Sequence, residues 1–156
     1  MKEDTEYDDF SVETLFEEDY HDAKAYHRRA LQFLDEGQRA SLVFNVASVA
    51  LERYLVAICD LYGVEPMNHN FISLMSTVDK LVPVSQALNK GIKSLDRIFG
   101  ICFLEDYYHG TPTTSDADKA LQLCNEVGQM FDPSKITSVR TMLQQRKKTK
   151  EVIEYM

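Results

Sequence analysis

Glycine and proline are scarce in this chain of 156 residues, at six and four respectively. So few chain-reversing residues leave little room for a turn-rich all-β fold. No run of eighteen or more apolar residues occurs, so no membrane span is expected. The first ten residues, MKEDTEYDDF, are acidic and carry no apolar stretch, unlike a signal peptide. Only three cysteines are present, Cys59, Cys102 and Cys124, each inside an apolar helical pattern. An odd number without paired spacing argues against a disulfide framework or a zinc knuckle. They read as reduced core residues of a cytoplasmic protein. There is no glycine-rich phosphate loop, and no Ser/His/Asp set whose spacing recommends it. The length suits one domain able to bury its own core.

The charge that is there is unevenly spread. The chain carries a net −8, but residues 1–22 hold ten acidic residues against one lysine, and residues 135–156 hold six basic residues against two glutamates. One reading makes both ends solvated tails, since like-charge blocks repel. The other has the two ends attracting each other, in one chain or across a dimer. The cluster Arg146, Lys147, Lys148 and Lys150 can touch a polyanion, yet four cations on an otherwise acidic domain are too few to mark a nucleic-acid site.

Hydrophobic periodicity predicts helices throughout. A first helix is expected from about Asp19 to Glu36, with Ala23, Tyr26 or His27, Ala30 and Leu34 inward and Gly37 as its stop. A second is expected from about Gln38 to Tyr62. Its residues Val43, Ala47, Ala50, Tyr54, Ile58 and Leu61 keep one face apolar, and Ser41, Asn45, Ser48 and Glu52 form a polar stripe. Gly63 suits the left-handed position after its end. A short helix spans about Phe71 to Lys80. A third long one spans about Ser85 to Phe103, burying Leu88, Ile92, Leu95, Phe99 and Cys102. A fourth starts near Ser115, with Asp116 and Asp118 in its first turn, and buries Ala117, Leu121, Cys124, Val127 and Phe131. A last helix runs from Pro133 to about Lys148 with Ile136, Val139 and Leu143. The expectation is an all-α, antiparallel up-and-down bundle of four to five helices. It spans residues 19–149, after a flexible acidic segment over 1–18 and before a tail over 150–156.

The pattern Phe33-Leu34-x-x-Gly37, then Ala47, Ala50, Glu52 and Leu55 on one helix, then Gly63, His69 and Leu74, resembles the HEPN family. Asp106-Tyr107-Tyr108, followed by Ser115-Asp116-Ala117, matches the aromatic turn and capped helix that the family places between its last long helices. The resemblance covers roughly residues 20–131. It implies a helical bundle that often dimerises and acts near RNA or nucleotides, as a toxin ribonuclease, a partner of a small nucleotidyltransferase or a defence module. Catalytic members carry R-x4–6-H, in which the cation holds phosphate and the imidazole moves a proton. None of Arg28, Arg29, Arg39, Arg53, Arg97, Arg140 and Arg146 has a histidine at that distance downstream. A non-catalytic or divergent member is therefore expected, with no cofactor and no metal.

The candidate ligand-binding residues are Glu52, Arg53, Asp106, Tyr107, Tyr108 and His109. Glu52 is read either as a helix–helix hydrogen-bonding residue or as a pocket carboxylate facing the Asp106–His109 turn. Tyr107, Tyr108 and His109 form either an aromatic lid or a platform that stacks a base, each stack contributing about 1–3 kcal/mol. His69 reads as a packing residue of its loop. The alternative function is a metal-dependent enzyme or divergent ribonuclease using His21, His69 or His109. Glu18 and His21 have the E-x-x-H spacing of di-iron bundles, which need a second such motif.

Overall fold

The computed structural model describes residues 11–98 and 111–155. They form a 3-10 turn, Val12–Leu15, and helices α1 (Phe16–Asp35), α2 (Ala40–Leu61), α3 (Phe71–Leu81), α4 (Gln86–Lys93), α5 (Leu95–Ile98), α6 (Thr114–Gly128) and α7 (Pro133–Glu154). No strand occurs among the described residues. The all-helical class read from the periodicity is the class observed.

α2 is the axis of the molecule. Fourteen of its twenty-two residues are buried, so it is covered on nearly every side. α1 packs along one side and α6 along another, with α3 nearby. By length and composition α2 is apolar enough to cross a membrane, but 67% of its most apolar window is buried inside the protein. The six residues expected on its inner face, from Val43 to Leu61, are all buried. Small residues allow the close approach of neighbours: Ala47, Ala50 and Ala57 of α2, Ala23 and Ala30 of α1, and Ala120 of α6 are fully buried. Cys124 of α6 donates its thiol to the Ala47 carbonyl at 3.0 Å. Burial pushes the thiols of Cys59 and Cys124 up to about 12, so both stay protonated. Cys102 lies outside the described residues.

Helix ends follow the local chemistry of the chain. Gly37 has φ +74° and Gly63 φ +71°, the left-handed region open to glycine. At the first, Gln38 N–H reaches the Phe33 carbonyl and Gly37 N–H reaches Leu34; at the second, Val64 reaches Cys59 and Gly63 reaches Asp60. Both are Schellman closures, which satisfy carbonyls left open by the helix end. α6 starts one residue before the expected Ser115. Its cap is Thr113, whose hydroxyl accepts from Asp116 N–H while the Asp116 carboxylate accepts from Thr113 N–H.

Three boundaries differ from the expectation. α1 begins at Phe16, not Asp19, because Phe16 is fully buried and stacks on Tyr20 at 5.1 Å, with Phe131 beside both. The packed fold thus includes part of the segment assigned to 1–18. The helix expected over 85–103 is interrupted at Ser94, whose hydroxyl donates to the Gly91 carbonyl at 2.6 Å, so that α4 and α5 are separate; Phe99 and Cys102 lie outside the described residues. α7 continues to Glu154, through most of the expected tail. On α1, Leu34 is 43% exposed where an inward position was expected, and Phe33 packs against the core in its place.

Candidate functional site

Polar side chains gather where the N-terminal part of α1 meets the C-terminal half of α2. Arg53 and Asp60 are seven residues apart, hence on one side of α2. Asp19 of α1 faces them. The Arg53 guanidinium donates to Asp19 Oδ1 at 3.3 Å, with the Asp19 side chain only 13% exposed. Asp60 is 2% exposed. Burial pushes its carboxyl up to about 9, and a hydrogen bond with Asp19 and the negative charges of Asp19 and Glu65 raise it further. Asp60 therefore holds a proton at neutral pH and shares it with Asp19, which Arg53 keeps in place. Arg53 Nε and Asp60 Oδ2 are buried without a hydrogen-bond partner among the described residues.

Glu52, one position along α2, turns away from this cluster to the loop after Gly63. His69 Nδ1–H donates to Glu52 Oε1 at 3.0 Å. The pair ties the 64–70 loop to the middle of α2, the packing role read for His69. The same loop leads into α3, whose first N–H groups are all answered. Asn70 Oδ1 accepts from Ser73 N–H at 2.8 Å, and the two carboxylate oxygens of Asp96 accept from Phe71 and Ile72 N–H at 2.9 Å each. Asp96, 1% exposed, thus supplies from α5 a negative charge at the positive end of α3.

A third polar contact joins α1 to α2 farther along. Tyr54 hydroxyl lies 3.0 Å from His27 Nδ1. Burial, with smaller contributions from Cys124 and Tyr20, pushes the phenol up to about 12, and burial lowers His27. The phenol is therefore the donor and the neutral imidazole the acceptor, with the ring proton on Nε2.

Of the candidate residues, Glu52 and Arg53 are neighbours with separate partners rather than one constellation. Asp106, Tyr107, Tyr108 and His109 lie outside the described residues, so the turn that Glu52 was expected to face does too. His21 is exposed on α1, and His69 is bound to Glu52. Among the described residues no three His, Cys, Asp or Glu side chains are grouped to hold a metal. Sequence reasoning missed Asp60 and Asp96. Asp60 had a signal, a carboxylate set inside the apolar run Leu55–Leu61. Asp96 had none, because its partners are 25 and 24 residues away.

Chemically, the Asp19–Arg53–Asp60 cluster joins a proton-holding carboxyl, a carboxylate and a guanidinium, the group types of an acid–base site. Its burial turns that chemistry inward: the shared proton and the ion pair hold α1 on α2. No family model, curated protein or solved structure matches the chain.

Proposed function

We propose that the chain is a HEPN-like bundle acting as a non-catalytic binding and interaction module. It works in the cytoplasm as a homodimer, with an RNA- or nucleotide-related partner such as a small nucleotidyltransferase. The observation that carries this reading is the use of the polar residues at the resemblance's central positions. Glu52 is engaged by His69 and Arg53 by Asp19, so both brace the bundle instead of converging on a substrate. The enzyme reading needs His69 as a free acid, base or ligand, and its ring is committed to Glu52. For the dimer, the C-terminal half of α1 offers exposed Leu31 and Leu34, three apart and on one side, at 47% and 43% exposure.

Sedimentation velocity over a wide concentration range, with an RNA-cleavage assay on the same sample, tests the proposal. A dimer without cleavage is the expected result, and Leu31→Glu with Leu34→Glu should shift it to monomer. A monomer at every concentration removes the dimer. Cleavage that disappears in His69→Ala replaces the module with an enzyme.

A further inference from the structure

α7 begins against the body and leaves it. Its inner half packs through Ile136, Val139 and Leu143. From Gln144 onward every described residue is exposed. The face that packs does not stop there. Steps of three and four from Leu143 lead to Arg146 and Lys147, then Lys150, then Ile153, so one side of the helix changes from apolar to cationic and ends on an isoleucine 67% exposed.

The N-terminal part of the chain runs along this same face. Glu17 accepts from Arg140 through both carboxylate oxygens, Nε to Oε1 and Nη2 to Oε2, the latter at 3.1 Å. Six residues earlier, Ser11 Oγ accepts from Arg146 Nη1 at 3.1 Å. Going backward in the chain from Glu17 to Ser11 is thus going outward along α7 from residue 140 to residue 146. The described chain starts at Ser11, beside the first cation of the stripe.

We propose that residues 1–10 of the same chain cover the cationic face of the outer half of α7, continuing the register set by Glu17–Arg140 and Ser11–Arg146. The segment has the matching chemistry. It holds five carboxylates, Glu3, Asp4, Glu6, Asp8 and Asp9, against Lys2, and two aromatic residues, Tyr7 and Phe10. The carboxylates answer Arg146, Lys147 and Lys150, and an aromatic side chain answers Ile153. Reach is ample: ten extended residues span roughly 33 Å, while the eight positions from Arg146 to Glu154 rise about 12 Å. Attachment at Ser11 also gives the segment a high effective concentration at its own helix, of millimolar order for a short link, so the same chain is favoured over a second copy. This surface is independent of the proposed α1 dimer.

Zero-length carbodiimide cross-linking of the full chain tests it, using an equal mixture of isotopically light and heavy protein. Lys147 and Lys150 lie on the packing face, and Lys148 points to the opposite side of α7. The expected result is amide links from Glu6, Asp8 or Asp9 to Lys147 and Lys150, light-to-light or heavy-to-heavy only, with Lys148 at least tenfold less linked. The links should fade in about 1 M salt, where the Debye length falls to about 3 Å. Asp8→Lys with Asp9→Lys should abolish them and make trypsin cut after Lys147 at least tenfold faster. Mixed light–heavy links place the segment on a second copy and overturn the proposal. Links spread equally over Lys147, Lys148 and Lys150, or none at all, show a loose acidic tail and overturn it as well.

Discussion

α2 and α7 are both twenty-two residues long and have almost nothing else in common. α2 has fourteen buried residues and α7 has two. α2 is rich in Val, Ile and aromatic residues, which are indifferent helix formers, and is helical because every neighbouring element packs on it. The outer half of α7 is Gln, Arg, Lys and Glu, good helix formers that need no core. One helix is held by the fold, the other by its own composition and by whatever lies along it. The same contrast extends to charge. The charges near α2 are few, inward and individually partnered, whereas those of α7 are many and solvated.

The sharpest way to break the comparison is to remove side-chain volume from α2. Leu51 is fully buried at the centre of the core. Leu51→Ala is expected to cost about 2–5 kcal/mol, from lost transfer energy and the cavity left behind. Urea unfolding measures it, and no substitution of comparable size beyond Leu143 in α7 should approach that value. A loss under about 1 kcal/mol would mean that the centre repacks freely and that α2 is not the axis described.

Next comes the carboxyl inside α2. Asp60 keeps its proton in the fold up to about 9, while the unfolded chain loses it near 4. Between those values the folded state binds more protons, so this group's contribution to stability falls as pH rises across the window. Asp60→Asn keeps a donor toward Asp19 and removes the titration. Parent and variant should match best below pH 4 and diverge as pH rises, the variant being the more stable at pH 8. The difference in slope is at most about 1.4 kcal/mol per pH unit for one proton. Equal slopes would place the shared proton elsewhere.

The end of α2 offers a smaller test. A Cβ on Gly63 would be strained by φ +71° and would sit 2.6 Å from Glu13 Oε1, whereas one on Gly37, at φ +74°, meets nothing within 4 Å. Each alanine substitution is expected to cost about 1–2 kcal/mol from the left-handed backbone. Gly63→Ala should cost more, and Glu13→Ala should recover the excess. If the two glycines give equal losses, the N-terminal turn yields freely at that contact.

These contrasts also explain what the sequence made legible. α2 announced its six inner positions because a helix buried against several neighbours has a strong periodic pattern, and Gly63 announced its end because backbone geometry there is local. Asp19, Arg53 and Asp60 were harder. Their meaning lies in a contact across 34 residues, from Arg53 to Asp19, and in burial that no single stretch of chain reveals. Phe16 was masked by the acids around it: Glu17, Glu18 and Asp19 made an ordered helix start look like tail. Ser94 was hidden inside an apolar repeat that continues through the break.

The smallest effect is expected at the outer end of α7, and it is the most telling about how that helix persists. Gln145→Gly lowers local helix stability by about 0.5–1 kcal/mol, yet it touches no core residue, so the urea midpoint should hardly move. Amide hydrogen exchange separates the two scales. Residues 148–154 should exchange through local opening, far faster than the amides of α2, which wait for global unfolding. Gln145→Gly should speed the first group and leave the second unchanged. Should the amides of 148–154 instead follow those of α2, the outer half would belong to the cooperative core, and its exposure would need a covering partner much larger than a ten-residue segment.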